Sequence, residues 1–435
     1  MSATPSPAAV PGAPEPLSIG AVLRIRTMRR LWYAQVVSTF GDFLALFAVI
    51  SVLTYKLNGT PQQVNGLQIA YLLPISVLSI LAGVFVDRWP LKPTLVASDF
   101  TRAALCILLI YAHTVWHFYL ILASISVVSS FFGPAQGVAL RSAVPPHGLR
   151  SANTLMQQVM FGLRIIGPAL SALIVSRFGE RTCYIADAAS FVASGCLIAS
   201  LALSREVKAA IQIDPIEAPV VKPAKPGLAT ILPDMSQGIG FILGHAALLF
   251  TILAFAAGMF ILGCFGPLIA VYVRDSLHAS TKTFGVCSAM IGVGMILGAQ
   301  LVNSAGKNLR NTTLVLSGLG GIAVGLCLLT GLTHVWSTIL ANLVIGMAVA
   351  SIVVPSTTLM QTETPPELMG RVGSAFMSLV FTAQILGLAL SGTLADHIGV
   401  RHVFAVCAVL LVLLIVFGKL FMEPKHEAPA TPAVT

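Results

Sequence analysis

Charge is what this sequence has least of. Asp, Glu, Lys and Arg together make up 9% of its 435 residues, where a soluble domain carries about a quarter. That leaves too few charged groups to cover a folded surface of this size in water. Paired cysteines are missing as well. Cys106, Cys183, Cys196, Cys264, Cys287, Cys327 and Cys407 are scattered through apolar sequence, with no CxxC pair and no zinc-ligand spacing. A disulfide framework and a metal site are therefore not expected. No GxxxxGK[ST] loop and no glycine-rich dinucleotide fingerprint occurs. ATP-driven transport by this chain alone is thus not expected, nor is a cofactor or a catalytic centre. Residues Met1 to Ser18 are rich in Pro and Ala, with Glu15 as their one charge. They lack a basic n-region followed by an apolar stretch, so they read as a disordered tail and not as a signal peptide.

What the chain does have is apolar length. Hydrophobic residues make up 56% of it. They fall into runs near 31–54, 65–87, 94–112, 116–140, 153–176, 182–203, 243–272, 283–303, 312–331, 335–358, 372–394 and 402–421. A helix rises about 1.5 Å per residue, so roughly 20 such residues cross a bilayer. The fold class that follows is an all-α polytopic membrane protein with twelve spanning helices. The 37 glycines agree, since small residues let helices approach closely in lipid. A formal charge of +9 would suggest nucleic acid in a soluble protein. Here the basic residues sit at the ends of the runs, and no nucleic-acid partner is expected. Seventeen fall on the side of the termini and six on the other. This bias places both termini in the cytoplasm, and an even number of spans agrees with it.

The longest break between runs contains Asp214-Pro215, Lys222-Pro223, Lys225-Pro226 and Pro233-Asp234. It reads as a cytoplasmic linker between two six-helix halves, the frame expected for alternating access about a central site. The organisation is a cytoplasmic tail over 1–24, a first bundle over 25–203, a linker over 204–237, a second bundle over 238–422 and a tail over 423–435. A faint internal echo joins Gly83–Asp87 and Gly392–Asp396, which share a GxxxD core. These segments do not hold equivalent places in the two halves. The positional partner of the first, Asn303–Arg310, lacks the aspartate.

Gly83-Val84-Phe85-Val86-Asp87-Arg88, then Trp89-Pro90-Leu91-Lys92, Asp99 and Arg102, resemble the segment joining the second and third helices of the major facilitator superfamily. The likeness covers nearly all of residues 25–421. Ser38–Asp42 and Asp99–Ala103 are similar to the macrolide and siderophore exporter branch of drug:proton antiporters. The lysophospholipid transporter branch shares the general layout. The resemblance implies two six-helix bundles and a cytoplasmic gate. In that gate Asp87 meets a helix N-terminus and a basic residue, a favourable place for an acid. Gly83, Asp87, Arg88, Lys92, Asp99 and Arg102 are the gate candidates. The plainer reading of Arg88 and Lys92 is a topology signal that holds the loop inside. Gly167-Pro168 resembles the antiporter signature of the fifth helix, and a proline there bends a helix by removing a hydrogen bond.

Charges inside the runs are the remaining candidates, because each must be protonated, paired or wetted. Asp42 falls near the middle of the first run, and proton coupling or a structural hydrogen bond both explain it. Arg164 lies midway along the fifth run. It keeps its proton, so it needs a partner or water, and an anionic substrate group or Asp42 would serve as the partner. Asp187, two turns inside the sixth run, serves proton entry or local capping. Asp99 and Arg102 are three apart on one helix face, where a local ion pair competes with a substrate contact. The second half offers amides instead, chiefly Asn342, Gln361 and Gln384. A central cavity is expected to have a polar wall with Arg164 and an apolar one with Phe260, Phe265 and Gln384.

Together these readings point to secondary, proton-coupled export of amphipathic or hydrophobic small molecules, with protons and membrane lipids as the other partners. A monomer in the inner, cytoplasmic membrane is expected. A lipid or lysophospholipid transporter and a non-transporting receptor or scaffold are the alternatives.

Overall fold

The structure is a computed structural model and describes residues 17–86, 89–201, 237–304, 309–365 and 368–418. Every regular element among them is helical. A short helix α1 (Ile19–Arg24) is followed by α2 (Arg26–Ser51), α3 (Pro61–Val86), α4 (Leu91–Leu108), α5 (Val115–Ala143), α6 (Leu149–Phe178) and α7 (Glu180–Ala199). Beyond the linker come α8 (237–244), α9 (Ala246–Phe265), α10 (Leu268–Asp275), α11 (Thr281–Ser304), α12 (Asn311–Gly331), α13 (Val335–Glu363), α14 (Met369–Ile398) and α15 (Val400–Phe417). Ten segments have the length and apolarity of a membrane span. With α3 and α6, 26 and 30 residues long, the spanning set is twelve.

The two halves are built to one template. Counterpart helices begin 220 residues apart: 26 and 246, 61 and 281, 91 and 311, 115 and 335, 149 and 369, 180 and 400. Even the caps repeat. Gly148 before α6 has φ −100° and ψ −9°, and Leu368 before α14 has φ −100° and ψ −8°. The turns into α7 and α15 each use one glycine in the left-handed region, Gly179 at φ 81° and Gly399 at φ 83°. A Cβ is strained there, which is why both positions are glycine.

Packing follows the same template. In the first half α2 packs on α6 and α7, α3 on α5, and α4 on α5 and α7. In the second, α9 packs on α14, α11 on α13, and α12 on α13 and α15. Two seams join the halves, α3 with α14 and α6 with α11, and the 220-residue shift converts one into the other. A pseudo-two-fold axis between two six-helix bundles accounts for this. Glycine lets both seams close: Gly285 of α11 lies against Ala172 of α6, and Gly392 of α14 against Gln62 and Asn65 of α3. The shift pairs Gly392 with Ala172 and Asn65 with Gly285, so each seam matches a small residue to a larger one.

Two expectations change. The tail does not extend to residue 24. Ile19–Arg24 is helical, the Ser18 hydroxyl accepts a hydrogen bond from the Ala21 N–H at 3.2 Å, and Val22 is fully buried. A capped first turn with one apolar anchor is enough to order it. The seventh run is not one helix. It divides at His245 and again at Gly266–Pro267, where proline lacks the N–H that would continue the ladder. Residues 1–16, 202–236 and 419–435, which hold most of the tails and linker, lie outside the described residues.

Candidate functional site

The first bundle encloses a polar ladder. Helix α4 places Asp99, Arg102 and Cys106 at i, i+3 and i+7, on one face. Helix α7 places Asp187, Ser190 and Ser194 at the same spacing. The two helices run antiparallel, so the stripes meet end for end. The Ser194 hydroxyl donates to Asp99 Oδ2 at 2.7 Å, and the Cys106 thiol donates to Asp187 Oδ2 at 2.9 Å. Arg102 pairs with Asp99 and lies between the rings of Phe132 and Phe191, 4.2 and 4.3 Å from their centroids. Two aromatic faces stabilise a cation there. Asp99, Asp187 and Arg102 are 0%, 2% and 4% exposed.

Asp42 closes the ladder from α2. It is half-buried, near the middle of the span Arg26–Lys56. Its neighbour Gly41 sits directly on the Asp187 and Ser190 side chains, where any Cβ would collide. Asp42 lies in the field of Arg102 and Asp99, and Asp187 and Tyr71 lie in that of Asp42. No hydrogen bond joins Asp42 to another described residue. Among the described side chains, the cation whose field reaches it is Arg102. Arg164 belongs to α6, but its side chain lies outside the described residues.

The second bundle supplies an internal comparison. Shifted by 220, the positions of Asp42, Asp99, Arg102, Cys106 and Asp187 become Leu262, Leu319, Ile322, Leu326 and Cys407. Leu319, Ile322, Leu326 and Cys407 are all buried. One architecture therefore closes around apolar residues in one half and around charges in the other. The fold does not require the charges.

The other sequence candidates divide. Arg164 and Gln384 are positional counterparts, one in α6 and one in α14. Gln384 and Phe260 are half-buried at the crossing of α9 and α14, where Gly263 meets the Gln384 backbone and Gly387 meets that of Phe260. Phe265 departs from its expected place in a cavity wall. It is 2% exposed, with its ring 5.5 Å from that of Phe404, inside the second bundle. Gly167 lies against Phe43 of α2, and the Pro168 carbonyl faces Gly285 of α11. Helix α6 runs continuously through that proline. Asp99 and Arg102 form the expected ion pair, but inside the bundle and far from the loop that precedes α4. Of the remaining gate candidates, Lys92 opens α4, and Asp87, Arg88 and the side-chain environment of Gly83 lie outside the described residues. Cys106, Ser190 and Ser194 were not singled out from sequence. Their signal is the matched i, i+3, i+7 spacing in two separate runs.

Hydrogen bonds between the two halves gather at the face opposite the termini. Asn65 Nδ2 donates to the Leu388 carbonyl at 2.9 Å and to Ser391 Oγ at 2.8 Å. The Ser51 hydroxyl reaches Thr281 Oγ1 at 3.2 Å, and Phe47 stacks on Phe284 at 4.8 Å. Asp396, from the faint sequence echo, accepts from the Gln62 N–H at 3.4 Å.

The family model for the Major Facilitator Superfamily matches residues 31–386. The chain belongs to that superfamily. It is 27% identical over 404 residues to the uncharacterized MFS-type transporter YfiS of Bacillus subtilis, covering 90% of this chain and 93% of that one. It is 23% identical over 400 residues to macrolide efflux protein A of Streptococcus pyogenes, covering 90% and 95%. Among solved structures, the nucleoside transporter NupG (D323A mutant) superposes with a TM-score of 0.70 at 12% identity, covering 91% of this chain and all of that one. That likeness speaks for the fold alone. This superfamily member is a multi-pass membrane transporter, and its relatives support a general role in efflux.

Proposed function

We propose that this protein is a secondary active exporter of amphipathic or hydrophobic small molecules, driven by inward proton flow through alternating access. Its place is the cytoplasmic membrane, with both termini inside, as the basic-residue bias favours. The observation that carries the coupling is Asp42, an acid at mid-membrane, half-buried and joined by no hydrogen bond to a described residue. An acid in that position is costly unless it exchanges a proton or is wetted. Substrate binds between the bundles, with Arg164, Gln384 and Phe260 as its candidate contacts. Asp42 accepts and releases the proton, and Asp187 communicates with it behind Gly41. Asp87, Arg88 and Lys92 act at the cytoplasmic closure.

Similarity to macrolide efflux protein A over 90% of the chain supports export. An apolar wall discriminates poorly by size, since one methylene is worth about 1–3 kcal/mol, so broad specificity is expected. A thermal-shift screen of purified protein against macrolides, hydrophobic cations and lysophospholipids tests the substrate class. Stabilisation by macrolides or hydrophobic cations supports the reading. Selective stabilisation by lysophospholipid that is lost in Arg164→Ala replaces it with lipid transport.

A further inference from the structure

The polar ladder has an unbalanced charge. Asp99 and Arg102 cancel, and the arginine is fixed between two rings. Among the described residues Asp187 has no such partner. It is 2% exposed, and the donor on its carboxyl is the neutral Cys106 thiol at 2.9 Å; the Ser190 hydroxyl gives its proton to the Asp187 backbone carbonyl at 2.7 Å and lies 3.4 Å from Oδ1. An ionised carboxylate in that setting is unfavourable by far more than one neutral hydrogen bond returns. The described titratable groups around it are Asp42 on α2, Tyr71 on α3, Arg102 and Cys106 on α4, and Cys183 on its own helix. The one cation among them is already engaged. In the counterpart half the positions of Asp99, Arg102, Cys106 and Asp187 are filled by the buried Leu319, Ile322, Leu326 and Cys407, so packing alone does not call for the charges.

We propose that Asp187 is a proton store, positioned by Cys106 and kept apart from the substrate cavity, which exchanges its proton with Asp42 at the close contact that Gly41 makes with it. In the exchange the O–H bond on Asp187 breaks and one forms on Asp42. The negative charge moves the opposite way, from Asp42 to Asp187. Glycine at 41 lets Asp187 Oδ1 and Ser190 pack directly against the α2 backbone beside Asp42, where a Cβ would collide with both. Cys106 acts through Asp187: its S–H fixes Oδ2 and leaves Oδ1 toward Ser190 and Gly41. The fixed Asp99–Arg102 pair moderates the field without taking part. This deepens the proton-coupled reading and rests on it for its use, though not for its existence.

Infrared spectroscopy of the purified full-length protein in nanodiscs tests it without substrate or gradient. At neutral pH the wild type is expected to show a protonated carboxylic C=O band that disappears in Asp187→Asn. The band should shift in Cys106→Ala and return toward its wild-type position in Cys106→Ser, which restores a donor. The difference spectrum between wild type and Cys106→Ala should show a hydrogen-bonded S–H stretch. A merely structural role for Cys106 would move stability and leave the carbonyl band in place. Should Asp187→Asn fail to fold, the two Cys106 variants still decide the matter. Absence of any protonated carboxylic band, or a band unmoved by Cys106→Ala, overturns the proposal. Loss of transport with the band intact would count against the export reading instead.

Discussion

Arg274 Nη1 donates to the carbonyl oxygen of Thr54 across the boundary between the bundles, at 2.6 Å. The same nitrogen reaches the Gly59 carbonyl at 3.1 Å, and the rest of the guanidinium is held by Asp275 at 2.5 and 2.9 Å. The planar fork of arginine suits such a clasp, which a lysine ammonium would not reproduce. Arg274 ends α10, the short helix after the Gly266–Pro267 break, so it can respond separately from α9. The proposed alternating access requires this face to open during the cycle. A Ser51→Cys/Thr281→Cys pair, placed where the two hydroxyls are 3.2 Å apart, should cross-link on oxidation and stop transport, with recovery on reduction. Undiminished transport in fully cross-linked protein would show that this seam does not move.

Gly41 should be intolerant of any side chain. Gly41→Leu places carbon where Ser190 and Asp187 now lie, and overpacking of this kind costs about 1–3 kcal/mol. Gly133 has nothing within 4 Å of its would-be Cβ. Gly133→Ala should leave melting unchanged or raise it slightly. Melting temperatures in detergent compare the two directly.

The Asp99–Arg102 pair should behave as a unit. Arg102→Ala leaves a buried carboxylate without its cation, which typically costs about 3–5 kcal/mol. The double variant Asp99→Leu/Arg102→Ile copies Leu319 and Ile322 from the second bundle. Replacing a whole buried pair by packed apolar groups is often neutral, so the double variant should recover most of the lost stability. Additive losses in the double variant would contradict the two-bundle equivalence.

Much of the fold was legible because a bilayer imposes it. Apolar length gave every spanning run, and the alternation of basic residues gave their pairing into an even number. The 220-residue template escaped notice because it resides in helix lengths and connections, and the side chains at equivalent positions have diverged. Arg164 and Gln384 look unrelated until the helix starts are aligned. The ladder was half visible: Asp99, Arg102 and Asp187 stood out as charges, but nothing local revealed that α4 and α7 face each other. Cys106 looked like one small apolar residue among seven. Phe265 was misplaced because a helix in lipid is apolar all round, so its sequence does not say which face turns inward.

Phe265 and Gln384 should therefore separate by phenotype. Phe265→Ala empties a site inside the second bundle and should lower stability by about 3–5 kcal/mol, with little change in substrate affinity of the folded fraction. Gln384→Ala should weaken ligand-induced stabilisation and spare the unliganded melting point. Thermal shifts with and without a stabilising macrolide or hydrophobic cation would measure both, and the reverse pattern would return Phe265 to the cavity.

The central claim, proton-coupled export with Asp42 as the exchanging group, is tested most directly in proteoliposomes carrying an imposed pH gradient. Wild-type protein should move a fluorescent hydrophobic cation or macrolide into the acid compartment against its concentration gradient, raise the pH of that compartment faster than the leak of empty vesicles does, and stop when the gradient is collapsed. Asp42→Asn should melt normally and lose gradient-driven movement while retaining substrate exchange at equal pH. Full gradient-driven transport by Asp42→Asn would contradict the account.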